Sequence, residues 1–230
     1  MRFGLDLGGT KMEAIVMDGA GDIIWRQRAP TPASDYTRIV QTIGELVEAS
    51  QAHVGEAVSV GIGMPGSLSP KTGRVRNSNT QSLNDKPLRQ DLEARLGREV
   101  RLANDANCFA LSEATDGAGN GAQSVFGVIL GTGCGGGLVM AEHLQNGVNG
   151  IGGEWGHNPL AAPTPQEVPG PACYCGRHGC NEVWISGSGF ARDHHQVTGQ
   201  TLTSEQIIAS EAPEAQASFE RLCDRLARAL

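Results

Sequence analysis

The sequence predicts an α/β protein made of two similar halves facing a cleft, and three observations carry that prediction. Apolar strand patterns alternate with helical ones along most of the chain. A strand that opens Phe-Gly and closes in a Gly/Thr turn occurs twice, at residues 3–10 and 126–133, an offset of 123. Glycine makes up 32 of the 230 residues, about twice the usual share of roughly 7%. No collagen period or linker-like block absorbs these glycines, so they are expected in loops. The duplication places an N-terminal domain over residues 1–105 and a C-terminal domain over residues 106–230.

In chain order, residues 2–7 alternate around Phe3 and Leu5, residues 14–17 are apolar and β-branched, and residues 23–28 follow the turn Asp18-Gly19-Ala20-Gly21. These read as an antiparallel meander that Pro30 and Pro32 interrupt. Asp35 can cap a helix whose apolar face is Ile39, Val40, Ile43, Leu46 and Val47. A buried strand over 58–62 leads into Gly63-Met64-Pro65-Gly66, and the polar stretch 67–84 reads as loop or hairpin. Pro87 starts a helix that ends near Gly97. A short strand over 100–103 precedes Asn104-Asp105-Ala106-Asn107 and a helix to about Thr115, and then come strands over 124–130 and 138–141. Near the C-terminus, Phe219, Leu222, Cys223, Leu226 and Leu230 form a helical apolar stripe that runs off the last residue without a Gly or Asn cap. That ending suggests a fold that stops short.

Composition excludes several classes. With 18 basic against 25 acidic residues the formal charge is −7, which disfavours nucleic acid as a partner because such binders rely on a basic face. No apolar run approaches the roughly 18 residues needed to cross a bilayer, and Asp6 comes too early for a signal peptide. The expected location is the cytoplasm, with no membrane partner.

Two loops have the chemistry to hold a polyphosphate. In Asp6-Leu7-Gly8-Gly9-Thr10-Lys11, paired glycines allow close backbone approach, Thr10 offers a hydroxyl, Lys11 a positive charge, and Asp6 a carboxylate for hydrated Mg2+. Gly131-Thr132-Gly133-Cys134-Gly135-Gly136-Gly137 is the second, and two such loops at matching positions favour a nucleoside triphosphate between them. Neither is a Walker sequence, since no Gly-Lys-Ser/Thr opens a helix.

The strongest signal is Gly153-Glu154-Trp155-Gly156-His157 together with Cys173-Tyr174-Cys175-Gly176-Arg177-His178-Gly179-Cys180-Asn181-Glu182. Three cysteines within eight residues of a cytoplasmic chain are expected as thiolates on zinc rather than as disulfides. His157 and His178 compete as the fourth ligand. His157 is favoured, because a residue inside the short Cys175 to Cys180 loop would strain a tetrahedron.

Together, Asp6-x-Gly-Gly-Thr-Lys11, Asn104-Asp105, Glu154-x-Gly-His157 and Cys173-x-Cys-Gly-x-x-Gly-Cys180-x-Glu182 resemble the ROK family of sugar kinases, repressors and related proteins over essentially the whole chain. The segments Arg101 to Cys108, Gly153 to Leu160 and Cys173 to Gly176 look most like bacterial fructokinases of the manno(fructo)kinase type, with N-acetylglucosamine kinases as near relatives. The resemblance implies an actin/hexokinase-like (ribonuclease H-like) fold, transfer of the ATP γ-phosphoryl group to a hexose hydroxyl, a bound zinc and a homodimer. Fructose, phosphorylated on its 6-hydroxyl, is the leading substrate, and N-acetylglucosamine, N-acetylmannosamine, glucose and mannose are the alternatives.

Carried over by position, Asp105 matches the general base, although an Asn-Asp pair after a strand also caps a helix. Asn104, Asp105, Glu154, His157 and Glu182 match sugar-contacting positions, and Asn79 is a further candidate with a surface turn as its alternative. Asp6, Gly8, Gly9, Thr10, Lys11, Gly131, Thr132 and Gly133 match the ATP and Mg2+ side, and His157, Cys173, Cys175 and Cys180 match a structural zinc site. Family members continue past the last helix into a strand-helix unit beneath the adenine, so the C-terminal part is expected to be missing. A catalytically weak sugar-binding or regulatory module is the alternative this raises. A repressor is disfavoured, since no helix-turn-helix precedes the first glycine loop.

Overall fold

Alternation around Phe3 and Leu5 buries one face of β1 (Arg2–Leu7), which pairs antiparallel with β2 (Lys11–Met17) in the computed structural model of this chain. The structure describes residues 1–56 and 58–230. β3 (Ile23–Pro30) completes the expected meander, and Asp18 Oδ1 closes its turn by accepting from the N–H groups of Ala20, Gly21 and Asp22 at 2.8 to 3.0 Å. Pro30 ends the outer strand, where a missing donor costs no ladder bond. β2 starts at Lys11 rather than at residue 14, because pairing with Leu7 and Pro30 draws its polar first turn into the ladder.

Asp35 caps α1 (Tyr36–Val54) by accepting from Arg38 N–H at 3.1 Å, and Gly55 ends it in the left-handed conformation. Ile39, Ile43, Leu46 and Val47 are buried, as the helical spacing predicts, and Val40 packs partly against the same core. β4 (Ser59–Met64) runs through the Gly63-Met64 step instead of stopping at Ile62, since its backbone stays paired as far as Asn104. The polar stretch after it forms the small hairpin β5 (Ser67–Leu68) and β6 (Val75–Arg76), then one 3-10 turn. α2 (Leu88–Leu96) stops at Gly97, and β7 (Val100–Asn104) leads directly into α3 (Asp105–Thr115). The sheet order is β3-β2-β1-β4-β7, with β4 parallel to both β1 and β7.

These elements belong to the first of two compact units, formed by Met1–Ser112 and Gln145–Gly152. The return segment is tied down within that unit by Arg76, which donates to Asn149 O, and by Asn107, which donates to Asn146. The second unit comprises Glu113–Leu144 and Gly153–Leu230. Its sheet holds β8 (Ser124–Leu130), β9 (Cys134–Met140) and β10 (His143–Leu144) in the order β10-β9-β8. β9 begins 123 residues after β2 and is equally long, so the offset seen in the sequence is kept by the strands. It starts at Cys134, not at Leu138, because backbone pairing of Gly135, Gly136 and Gly137 with Ile129, Val128 and Gly127 overrides glycine's weak strand preference.

Four helices follow: α4 (Asn181–Ile185), α5 (Gly187–Thr198), α6 (Ser204–Ile208) and α7 (Pro213–Ala229). Only part of the apolar stripe expected on α7 faces inward, where Leu222 and Leu226 pack against the core. Phe219, Cys223 and Leu230 are exposed and Leu222 and Leu226 are half-buried, whereas Ser218 and Arg225 are buried. An ion-pair network completes that face. Arg225 Nε reaches Glu167 Oε1 at 2.8 Å, its Nη1 reaches Asp193 Oδ1 at 2.8 Å, and its guanidinium lies 4.3 Å from the Trp184 ring centre. Arg228 and Arg221 close the network on Glu167 and Asp193 at 2.9 Å each. Among the described residues no helix is long and apolar enough to cross a membrane.

Burial alone would raise the Glu167 carboxyl, but hydrogen bonds from Arg228, Arg225 and the Thr164 N–H hold it down to about 2. A depressed folded-state value stabilises above the unfolded-state value and is lost as pH falls towards the folded one. Denaturant unfolding should therefore show this contribution intact above the ordinary 4.5 and fading as pH falls from there towards about 2. Glu167→Gln, which leaves Arg225 short of a charge partner, should cost about 3–5 kcal/mol at neutral pH and flatten that acid dependence.

Candidate active site

Parallel pairing brings three strand ends of the first unit to one edge, with Asp6 opposite Gly63, Gly63 opposite Ala103 and Met64 opposite Asn104. Asp105 is the first residue of α3, and its Oδ1 accepts from Ala106 N–H at 2.8 Å. Loss of water pushes its carboxyl above the usual range, opposed by N–H donation from Ala106 and from Asp105 itself and by the Asn104 side chain. The Asp6 carboxyl is raised as well, first by loss of water, then by the negative charges of Asp105 and Glu13, with Lys11 opposing. Two carboxylates at one edge, both raised above their ordinary range, suit a dication.

Asn104 is more committed than the sequence implies. Its Oδ1 accepts from the N–H groups of Ala106 at 2.9 Å and Asn107 at 3.3 Å, and its Nδ2 donates to Gly66 O at 3.1 Å. Gly66 has φ +84°, and a Cβ there would lie 2.5 Å from Arg76 O, so the turn after β4 accepts only glycine. Asn104 thereby ties the start of α3 to that turn.

The first glycine turn is a tight hairpin in which Gly8 N–H donates to Lys11 O at 3.0 Å and Thr31 Oγ1 donates to Gly8 O at 2.8 Å. Gly9, Thr10 and Lys11 are exposed. Asn79 is exposed between buried Ser78 and Thr80, and this loop lies beside the same turn, with Thr80 Oγ1 3.8 Å from where a Gly9 Cβ would be.

In the second unit, Gly131 N–H donates to Gly133 O at 3.0 Å, echoing the first turn. Here α5 supports the loop: Gly187 N–H donates to Gly131 O at 2.8 Å and Ser188 Oγ donates to Thr132 O at 3.0 Å. These contacts were not foreseen from the sequence, though Ser186-Gly187-Ser188-Gly189, with Ser186 accepting from Gly189 N–H at 3.0 Å, carries the signature of a capped helix start. Glu182 Oε2 accepts from Cys134 N–H at 3.0 Å, and a Cβ on Gly133 would come within 2.7 Å of that oxygen. Gly133 is thus the opening through which Glu182 reaches the loop. Burial, followed by the charges of Glu182 and Glu154, pushes the Cys134 thiol up to about 12, so it stays protonated at neutral pH.

His157, Cys173, Cys175 and Cys180 place their ligand atoms within 4.8 Å of one another. His157 Nδ1 is 3.5 Å from Cys173 Sγ, and Cys175 Sγ is 3.6 Å from Cys180 Sγ. A tetrahedron with metal–sulfur bonds of about 2.3 Å has edges of about 3.8 Å, so the donor set and its spacing fit zinc. His178 is exposed in the loop, its backbone bridged to Ala172. Donation from Arg177 N–H lowers the Cys175 thiol, whereas burial and hydrogen bonding to Cys175 and Cys173 push Cys180 up to about 12. Opposed shifts of this kind belong to thiols sharing protons that a dication would replace. All six cysteines are free thiols. Beyond the cluster, His157 Nε2 lies 2.9 Å from Tyr174 Oη, a contact the sequence reading left unassigned.

A sequence profile of the ROK family matches residues 2–230. The N-acetyl-D-glucosamine kinase of Yersinia pestis bv. Antiqua (strain Nepal516) is 42% identical over 234 residues, which cover 99% of this chain and 91% of that protein. Among solved structures, the ROK hexokinase of Thermus thermophilus superposes with a TM-score of 0.83 at 33% identity, over 98% of this chain and 74% of that one. A ROK family glucokinase from Streptomyces griseus, in complex with glucose and AMPPNP, superposes with a TM-score of 0.77 at 29% identity, over 97% of this chain and 76% of that one. With its actin/hexokinase-like α/β fold, the chain belongs to the ROK family, as one of its ATP-dependent sugar kinases.

Proposed function

We propose that the chain transfers the γ-phosphoryl group of ATP to the primary hydroxyl of N-acetyl-D-glucosamine, with Asp105 as general base. The observation that carries this reading is the Asp105 carboxylate, at the start of α3 and at the same sheet edge as the first glycine turn, with its proton affinity raised. A carboxylate so tuned accepts the hydroxyl proton more readily as the sugar oxygen attacks phosphorus. Asp6 is the candidate holder of hydrated Mg2+, which supplies neutralisation of phosphate charge. Gly8, Gly9, Thr10 and Lys11, with Gly131, Thr132 and Gly133, are the candidate phosphate contacts. Asn104, Glu154, His157, Glu182 and Asn79 are the candidate sugar contacts, a mixture of amides, carboxylates and imidazole suited to a polyol.

His157, Cys173, Cys175 and Cys180 would hold zinc with no open position, so the ion orders the loop and orients His157 without entering the chemistry. The sugar assignment is supported by relatives that carry the name N-acetyl-D-glucosamine kinase at 42% identity. Fructose is the second reading, favoured by the fructokinase-like run Arg101 to Cys108 and by Cys173-Tyr174-Cys175-Gly176. Few pocket contacts separate such hexoses. A homodimer, implied by the family resemblance, belongs to the same proposal.

A coupled ADP-release assay over a hexose panel should give the highest kcat/KM with N-acetyl-D-glucosamine; a clear preference for fructose reverses the order of the two readings, and sugar binding without turnover supports a binding module instead. Asp105→Asn should lower kcat about 10²- to 10⁴-fold while sugar affinity changes little. Since the base must be ionised, kcat should fall on acidification, with a midpoint above the ordinary 3.8. Elemental analysis should find about one zinc per chain. Chelation or Cys175→Ser should lower the melting temperature, and metal-free protein that melts unchanged would remove the structural role.

A further inference from the structure

Tyr174 sits between two cysteines of the metal cluster, and nothing in the proposed reaction uses it. Tyr174 is 83% exposed, yet its ring is not random in direction. The Tyr174 and His157 rings meet edge to face with centroids 4.9 Å apart and planes at 83°. The tyrosine oxygen lies 2.9 Å from His157 Nε2.

The far side of that imidazole is already committed, since Nδ1 faces Cys173 Sγ at 3.5 Å within the cluster. With Nδ1 as a metal donor, Nε2 carries the one ring proton and becomes a donor with a single hydrogen. That hydrogen can serve the tyrosine oxygen or a sugar hydroxyl, but it cannot serve both well.

We propose that Tyr174 gates the sugar position on His157: its hydroxyl oxygen occupies the Nε2 N–H that a sugar hydroxyl would take, so sugar binding displaces the tyrosine. The proposal rests on the reading of His157 as a sugar contact. Little besides this hydrogen bond and one edge contact holds an exposed ring, so displacement is cheap. Cys173 and Cys175 anchor the backbone on either side, so the ring returns to the same place when the sugar leaves. Tyr174 therefore sets affinity by positioning itself against His157 and takes no part in phosphoryl transfer.

Calorimetry on the full zinc-loaded chain, titrated separately with N-acetyl-D-glucosamine and with fructose, tests this. Tyr174→Phe keeps the ring and removes the competing oxygen, so the sugar Kd should fall about two- to tenfold, with kcat and the zinc content per chain unchanged. A Kd that is unchanged or higher overturns the gate, and so does loss of zinc, which would make the hydroxyl a support of the cluster instead. Glu154→Gln separates this failure from failure of the site as a whole. If it weakens sugar binding while Tyr174→Phe does not strengthen it, the gate alone falls; if it has no effect, or neither sugar binds, the sugar-site reading falls and the gate with it.

Discussion

The parallel register of β1, β4 and β7 decides where the first unit keeps its chemistry. Because these strands run the same way and end together, Asp6, the Gly63 to Gly66 turn and the Asn104-Asp105 pair emerge at one edge, although 99 residues of chain separate Asp6 from Asp105. Ligands of open α/β sheets bind outside the carboxyl ends of such strands. A slip of one residue would turn Asp6 to the other face and set Phe3 and Leu5 in water. The core that fixes the register is wholly apolar on that face, with Leu7, Met12, Ile39, Ile43 and Met64 each 1% exposed or less. The Asp105 charge opposes ionisation of Asp6 at that edge, while the sheet behind them is held by an apolar core.

The second unit is held by other means. Its strands are few and rich in glycine, and beside two smaller apolar clusters it has polar closures: a group of three sulfurs and an imidazole, and a buried chain of arginines and carboxylates. Both are sensitive to conditions that an apolar core ignores, the first to thiol oxidation and, on the zinc reading proposed above, to metal supply, the second to acid. Each also serves position. The cluster orients His157, and α4, which leaves the cluster at Cys180, carries Glu182 to the backbone of the second glycine loop.

What the sequence made legible follows physical range. Elements governed by local patterns were readable: the meander, α1 with its Asp35 cap and apolar face, α2 from Pro87 to Gly97, and the 123-residue repeat that β2 and β9 keep. The cysteine spacing pointed to the cluster, and the geometry gathers His157 rather than His178 beside the three sulfurs. What was not legible depends on tertiary partners. Strand pairing draws three glycines into β9, and the contacts of α5 with the second glycine loop join residues more than 50 positions apart. Counting leucines finds only part of the inward face of α7, Leu222 and Leu226, because Arg225 is brought inside beside them by Glu167 and Asp193, 58 and 32 residues before it. The double use of Asn104, as helix cap and as tether to Gly66, is likewise invisible to motif matching.

The first unit is also discontinuous: Gln145–Gly152 belongs to it, though the second unit's sheet is spelled out before that segment arrives. On the ribosome, where domains generally mature in the order of their synthesis, Met1–Ser112 can form its sheet early but lacks this strap until residue 152 has emerged. Until then Arg76 and Asn107 are without the Asn149 carbonyl and the Asn146 side chain that they meet in the finished fold. Asn107 follows Asp105 by two residues on α3, so the neighbourhood of the proposed base is among the last parts of the first unit to be completed, well after the sheet that carries it.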